Sequence, residues 1–253
     1  MSQKTKQNQD REMNVISHIS ELRNRLIVTA IFFVLFFFIG FYYVKDIYAF
    51  FEHDFDFDFK LTILSPGEII WIYFTIAGIV ALICTLPVIM LQLWLFISPG
   101  LKSNEKKATL AYIPATFLLC VGGLVFGYFL FIKLILPFLL SLNNDMFQEM
   151  FTVSKYFKFL FRITIPFAIL FEIPIISMFL TSLGIMTPQF MRKTRKYAYF
   201  ILLIVGALVT PPDIFLQLVV AVPLFIIYEI SIYLSSVVYR KKERKHQEFM
   251  EKR

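Results

Sequence analysis

The run from Ile69 to Ile97 constrains this chain most: twenty-nine residues without one charged side chain. As a helix it would rise about 43 Å, more than the roughly 30 Å of hydrocarbon in a bilayer. Leu26 to Val44 is a second such run, nineteen residues long and uncharged. Hydrophobic residues make up 58% of the chain, including 31 Phe. A water-soluble fold of this length cannot hide that much apolar surface, because part of every compact fold faces water. A transmembrane barrel would show short alternating segments with polar lumen residues. Here the runs are long and apolar all round, so helices satisfy the backbone in lipid. The sequence therefore predicts an all-α polytopic membrane protein.

Six spans are expected. Span one is Leu26 to Val44 and span two is Ile69 to Ile97, with Pro87 as a kink. Span three runs from Ala108 past Lys133, with Gly122, Gly123 and Gly127 offering a close-packing face. Span four covers Phe157 to Leu183 and carries Arg162, Pro166, Glu172 and Pro174. Span five is Tyr197 to Val209. Span six runs from Ile214 to Tyr239, with Pro223 and Glu229 inside it. Residues 1–253 read as one transmembrane domain. Residues 1–25 form a retained, partly helical cytoplasmic lead-in, with no apolar core or cleavage site of a secretory signal. Residues 240–253 form a basic cytoplasmic tail.

Charge sets the orientation. The amino-terminal segment, the loops after spans two and four, and the tail hold nineteen of the 25 Lys and Arg. The alternate loops are acidic or neutral, with Glu52, Asp54, Asp56, Asp58, Asp145, Glu149 and Asp213. Positive residues stay on the cytoplasmic side, so both termini are expected inside. The net charge of +7 then reflects topology and lipid headgroups, not nucleic-acid binding.

Span five has thirteen residues, about 20 Å of helix. Either spans five and six thin the bilayer locally, or the helix extends into Arg195 and Lys196, whose side chains snorkel. Glu172 lies mid-span, where a carboxylate is expensive. It either meets a partner or hydrated cavity, or acts as structural glue. Arg162, ten residues away and about 15 Å along one helix, is too far for a direct pair. Glu21 and Glu105 on their own are ordinary surface carboxylates among Lys and Arg, and Gln92 and Trp94 are ordinary near an interface. Cys84 and Cys120 read as small buried hydrophobes. His18, His53 and His246 have no metal-ligand spacing. No catalytic constellation or nucleotide loop is present, so neither enzyme activity nor a cofactor or metal is expected. A small-solute or ion transporter using Glu172, Arg162 and Glu229 as a relay is the alternative from another class, but six spans show no obvious inverted repeat.

Several segments together carry a resemblance. These are His18 to Leu26 (HISELRNRL), Pro87 to Gly100 (PVIMLQLWLFISPG) followed by Glu105, Phe171-Glu172-Ile173-Pro174, Leu183 to Pro188 (LGIMTP), Thr210-Pro211-Pro212-Asp213, and Tyr228-Glu229-Ile230. In this order and spacing the chain resembles the TatC family, the multispanning subunit of the twin-arginine protein translocase. The resemblance implies a curved six-helix bundle shaped like a cupped hand in a bacterial cell membrane. It implies recognition of twin-arginine signal peptides on folded cargo, cooperation with small single-span TatA- and TatB-like subunits, self-association in the receptor complex, and use of the proton gradient. By the matching positions, Glu21 and Glu105 face the twin arginines, with Arg23, Gln92 and Phe96 beside the signal peptide. Each carboxylate can take a guanidinium through paired charge-assisted hydrogen bonds, which Lys, lacking the planar fork, fits less well. Glu172 matches the family's intramembrane glutamate and is expected to meet the signal-peptide helix or a small subunit. Asp213 is expected to be a structural or assembly residue. The family's frequent proline in the first external loop is missing. Glu52 to Lys60 alternates acid with Phe and reaches no proline before Pro66.

Overall fold

The computed structural model describes residues 2–53, 61–97, 110, 112–143 and 150–251; for 2–19, 52–53, 245–246 and 248–251 only the backbone is described. Helix α1 is Ser2–Tyr42, α2 Val44–His53, α3 Pro66–Ile97 and α4 Tyr112–Leu130. A π-helical turn, Phe131–Ile135, leads into α5, Leu136–Ser141. Then come α6 (Val153–Leu170), α7 (Ile173–Leu183), α8 (Pro188–Lys193), α9 (Arg195–Val209) and α10 (Ile214–Glu251). The lead-in is thus continuous helix with the first span, and the basic tail continues the last.

Prolines account for two departures from regular helix. Pro137 has no N–H for the carbonyl of Lys133, and its ring would crowd that carbonyl. The backbone widens just before it, so that the Leu136 N–H donates to the Phe131 carbonyl five residues back. Pro174 likewise cannot bond the Leu170 carbonyl. Span four breaks there, with Phe171 and Glu172 turning between α6 and α7. The Glu172 N–H tightens onto the Ile169 carbonyl at 3.1 Å.

Among the described residues, five helical stretches are long and apolar enough to cross a membrane: Ser20–Tyr42, Pro66–Ile97, Tyr112–Ser141, Val153–Leu183 and Ile214–Arg244. The expected span five is α9, with fifteen residues. Its extension to Arg195 adds only two residues, so it rises about 22 Å and stays short of the hydrocarbon thickness.

The core follows from helix pairing. Phe131 of the π-helical turn, Phe157, Leu160, Ile163 and Phe167 of α6, and Leu216 and Leu224 of α10 are fully buried in one cluster. A smaller cluster of Met90, Ile175 and Phe179 joins α3 and α7. In lipid, close approach and polar contacts between helices replace the hydrophobic drive. A Cβ on Gly123 would lie 2.7 Å from the Phe167 carbonyl oxygen, and one on Gly127 2.9 Å from Thr164 Cα, so α4 and α6 touch backbone to backbone. Gly122 meets nothing within 4 Å; the close-packing face expected of three glycines is built by two. Between α7 and α10, the hydroxyls of Thr181 and Ser235 share a buried hydrogen bond of 2.7 Å. The Ser177 hydroxyl donates to the Ser231 carbonyl at 3.3 Å.

Contacts at the helix ends sort the chain into two membrane faces. Arg25 of α1 reaches Gln92 near the end of α3. On that same face Lys242 of α10 donates to the Ser182 carbonyl at 2.7 Å, neutralising the carboxyl end of α7. At the opposite face Thr62 pairs with the start of α6, its N–H on the Phe151 carbonyl and its carbonyl taking the Val153 N–H. Phe138 of α5 there stacks near Phe215 of α10, with centroids 5.2 Å apart. The turn 210–213 lies on this opposite face, and Asp213 caps α10, its Oδ1 accepting from the Leu216 N–H at 2.9 Å. An Asp213→Ala protein is expected to lose about 1 kcal/mol of stability, read as a lower melting temperature.

Candidate functional site

The site begins with a local pair. Glu21 and Arg25 stand one helical turn apart on α1, the spacing at which side chains meet. The Arg25 guanidinium donates to Glu21 Oε1 through both Nε and Nη2. Its third nitrogen, Nη1, donates to Gln92 Oε1 on α3 at 3.3 Å. α1 can lie this close to α3 because Gly40, further along, brings its backbone against Ala77 and Val80. One arginine thus bridges a carboxylate and an amide from two helices. The Glu21 side chain keeps 41% of its surface exposed and Arg25 keeps 20%. The carboxylate therefore still opens to the membrane face.

Of the residues expected at this site, the structure brings Glu21 and Gln92 together. Phe96 follows Gln92 by one turn of α3 and is half-buried, and Arg23 is exposed on α1. Glu105 lies outside the described residues. The residue missed in reading the sequence is Arg25. Its i, i+4 spacing from Glu21 was the available signal, but the reach to Gln92, 67 residues on, was not legible.

Glu172 sits at the break in span four, 6% exposed. Its Oε1 has no hydrogen-bond partner among the described residues. A buried carboxylate oxygen without a donor is costly, and the break caused by Pro174 is what places it there. As expected, Arg162 does not pair with it. The Arg162 guanidinium donates instead to the Leu208 carbonyl, at 2.9 Å from Nε, and closes the carboxyl end of α9. Glu229 is held by Arg195 at 2.8 Å and by the Tyr199 hydroxyl, tying α10 to α9.

A comparison with known proteins bears on this arrangement. The family model for the Sec-independent protein translocase protein TatC matches residues 17–223. The TatCd protein of Bacillus subtilis is 43% identical over 92% of this chain and 96% of its own length. TatC of Halalkalibacterium halodurans is 42% identical over 93% and 94%. The chain belongs to the TatC family. A crystal structure of the twin-arginine translocase receptor TatC superposes with a TM-score of 0.74 at 34% identity, covering 87% of this chain and 99% of that one. The TatC fold is therefore the fold described above, an all-helical, multi-pass membrane protein. The matched region takes in Glu21, Gln92, Phe96, Glu172 and Asp213.

Proposed function

We propose that this chain is the receptor and core subunit of a twin-arginine translocase, capturing the arginine pair of a signal peptide at the membrane face that bears Glu21. The observation that carries the reading is the guanidinium already seated there: Arg25 on Glu21 and Gln92. A planar, multidonor cation fits this carboxylate and amide, and an incoming arginine presents the same donors. Glu105 supplies the second carboxylate, and Phe96 and Arg23 border the peptide. Glu172 then offers its unsatisfied oxygen to the signal-peptide helix or to a polar group of a small single-span subunit. Asp213 serves structure and assembly by capping α10. In this reading both termini and Glu21 are cytoplasmic, the membrane is the bacterial cell membrane, and the proton gradient drives transport.

The transporter reading finds no support in the side-chain contacts. Arg162 and Glu229 are each engaged locally, on the Leu208 carbonyl and on Arg195 with Tyr199. The three groups of that relay form no hydrogen-bonded path among the described residues.

The test is export. With the chain deleted from its host, a folded fluorescent reporter behind an arginine-pair signal should remain in the cytoplasm, and restoring the chain should return it outside. Undiminished export in the deletion strain would end the proposal.

A further inference from the structure

Six of the 25 basic residues lie outside the four basic segments: Lys45, Lys60, Lys133, Lys155, Lys158 and Arg162. Half of them fall within eight residues of α6. Spacings of three and four place Lys155, Lys158 and Arg162 on one stripe of the helix, and all three are exposed. The stripe starts at the face opposite Glu21. Cations on a lipid-exposed helix are expensive and run against the usual charge asymmetry. Among the described residues none of the three has a carboxylate within ion-pair distance. Lys158 lies over the Trp71 ring, 4.9 Å from its centroid, and Arg162 is spent on the Leu208 carbonyl.

The stripe changes character with depth. Seven residues past Arg162 the same face carries Ile169, 55% exposed, and beside Arg162 stands Leu208, 65% exposed. At about 1.5 Å per residue, Lys155 and Lys158 lie in the first 10 Å of α6, the depth of headgroups. Ile169 lies well inside the hydrocarbon. Anionic above and apolar below is the form of a phospholipid. An acidic polypeptide would match the upper half and leave the lower half unmatched.

We propose that this face of α6 binds an anionic phospholipid, its phosphate on Lys155 and Lys158 against Trp71 and its acyl chains along Ile169 and Leu208. Trp71 supplies the probe. A Trp94→Phe protein retains Trp71 as its one tryptophan, the chain having two. In nanodiscs, brominated phosphatidylglycerol should quench Trp71 at about one-thirtieth the mole fraction that brominated phosphatidylcholine needs, the scale expected of two surface cations. Lys155→Gln with Lys158→Gln should erase that preference, and Lys45→Gln should keep it. Equal quenching by both lipids in the parent, or a preference surviving the double substitution, overturns the proposal. So does a shift of Trp71 emission in neutral discs on adding inorganic phosphate or a soluble acidic peptide, either of which would reassign the site. Native mass spectrometry of the unmodified chain and its Lys155/Lys158 variant reads the same preference without the Trp94 substitution. Phosphatidylglycerol should be retained by the first and released by the second, and equal retention counts against the site.

Discussion

Glu21→Lys and Glu105→Lys should each lower capture of an arginine-pair signal peptide by about a hundredfold. A hydrogen-bonded charge pair is worth roughly 1.5–3 kcal/mol, and reversing the charge adds repulsion to the loss, so about 3 kcal/mol is the expected scale. Binding of a labelled peptide to the protein in nanodiscs measures it, with a Lys-Lys peptide as the weak reference. The two variants should differ in what else they disturb. Glu21→Lys also releases Arg25 from its carboxylate. Arg25→Gln provides the control. If Glu21 serves only its pair with Arg25, then Arg25→Gln should damage capture as much as Glu21→Lys. If Glu21 receives the peptide, Arg25→Gln should leave capture within a few fold, because it removes a competing guanidinium. Peptide binding that survives either charge reversal would remove that carboxylate from the site.

The second large effect is structural. Gly123→Val should cost about 3 kcal/mol or more, the upper range for forcing volume into a packed interior. The new Cβ would meet the Phe167 carbonyl oxygen at 2.7 Å and Ala168 Cα at 2.8 Å. Both are backbone atoms, so no side chain can rotate aside and α4 must move off α6. That contact holds the fully buried Phe167, whose ring also packs on Phe126 at 5.3 Å between centroids. Gly122→Ala, one residue earlier, meets nothing within 4 Å and relieves a helix of a glycine, so it should be neutral or stabilising. Thermal loss of monodispersity in detergent compares the two. Equal stability would show that α4 and α6 are not packed as described.

How far the sequence could be read depends on the range of the interaction concerned. Residue 69 to 97 announces its own fate, since transfer into lipid is a sum over neighbouring side chains and needs no knowledge of the rest of the fold. The break at Phe171-Glu172 was not legible in this way: Pro174 removes a donor four residues from its acceptor, but Pro166 does the same inside α6 without ending the helix. The short span five was visible in its apolar length, and the structure confirms a fifteen-residue α9. The three glycines at 122, 123 and 127 show where such reading stops. Their spacing suggested one face, yet which of them meets α6 depends on the rotation of α4 about its axis.

The helical, membrane-spanning character of the chain was determined by the sequence alone, because both burial in lipid and helix hydrogen bonding are settled within about twenty residues. Only the tertiary structure decided which polar groups found partners. It put Arg25 on Gln92, sent Arg162 to the Leu208 carbonyl, locked Glu229 to Arg195, and left an oxygen of Glu172 without a donor among the described residues. Those pairings join residues up to 67 positions apart. They depend on how neighbouring helices are turned toward one another, and the packing of glycines, rings and hydroxyls between helices sets that rotation.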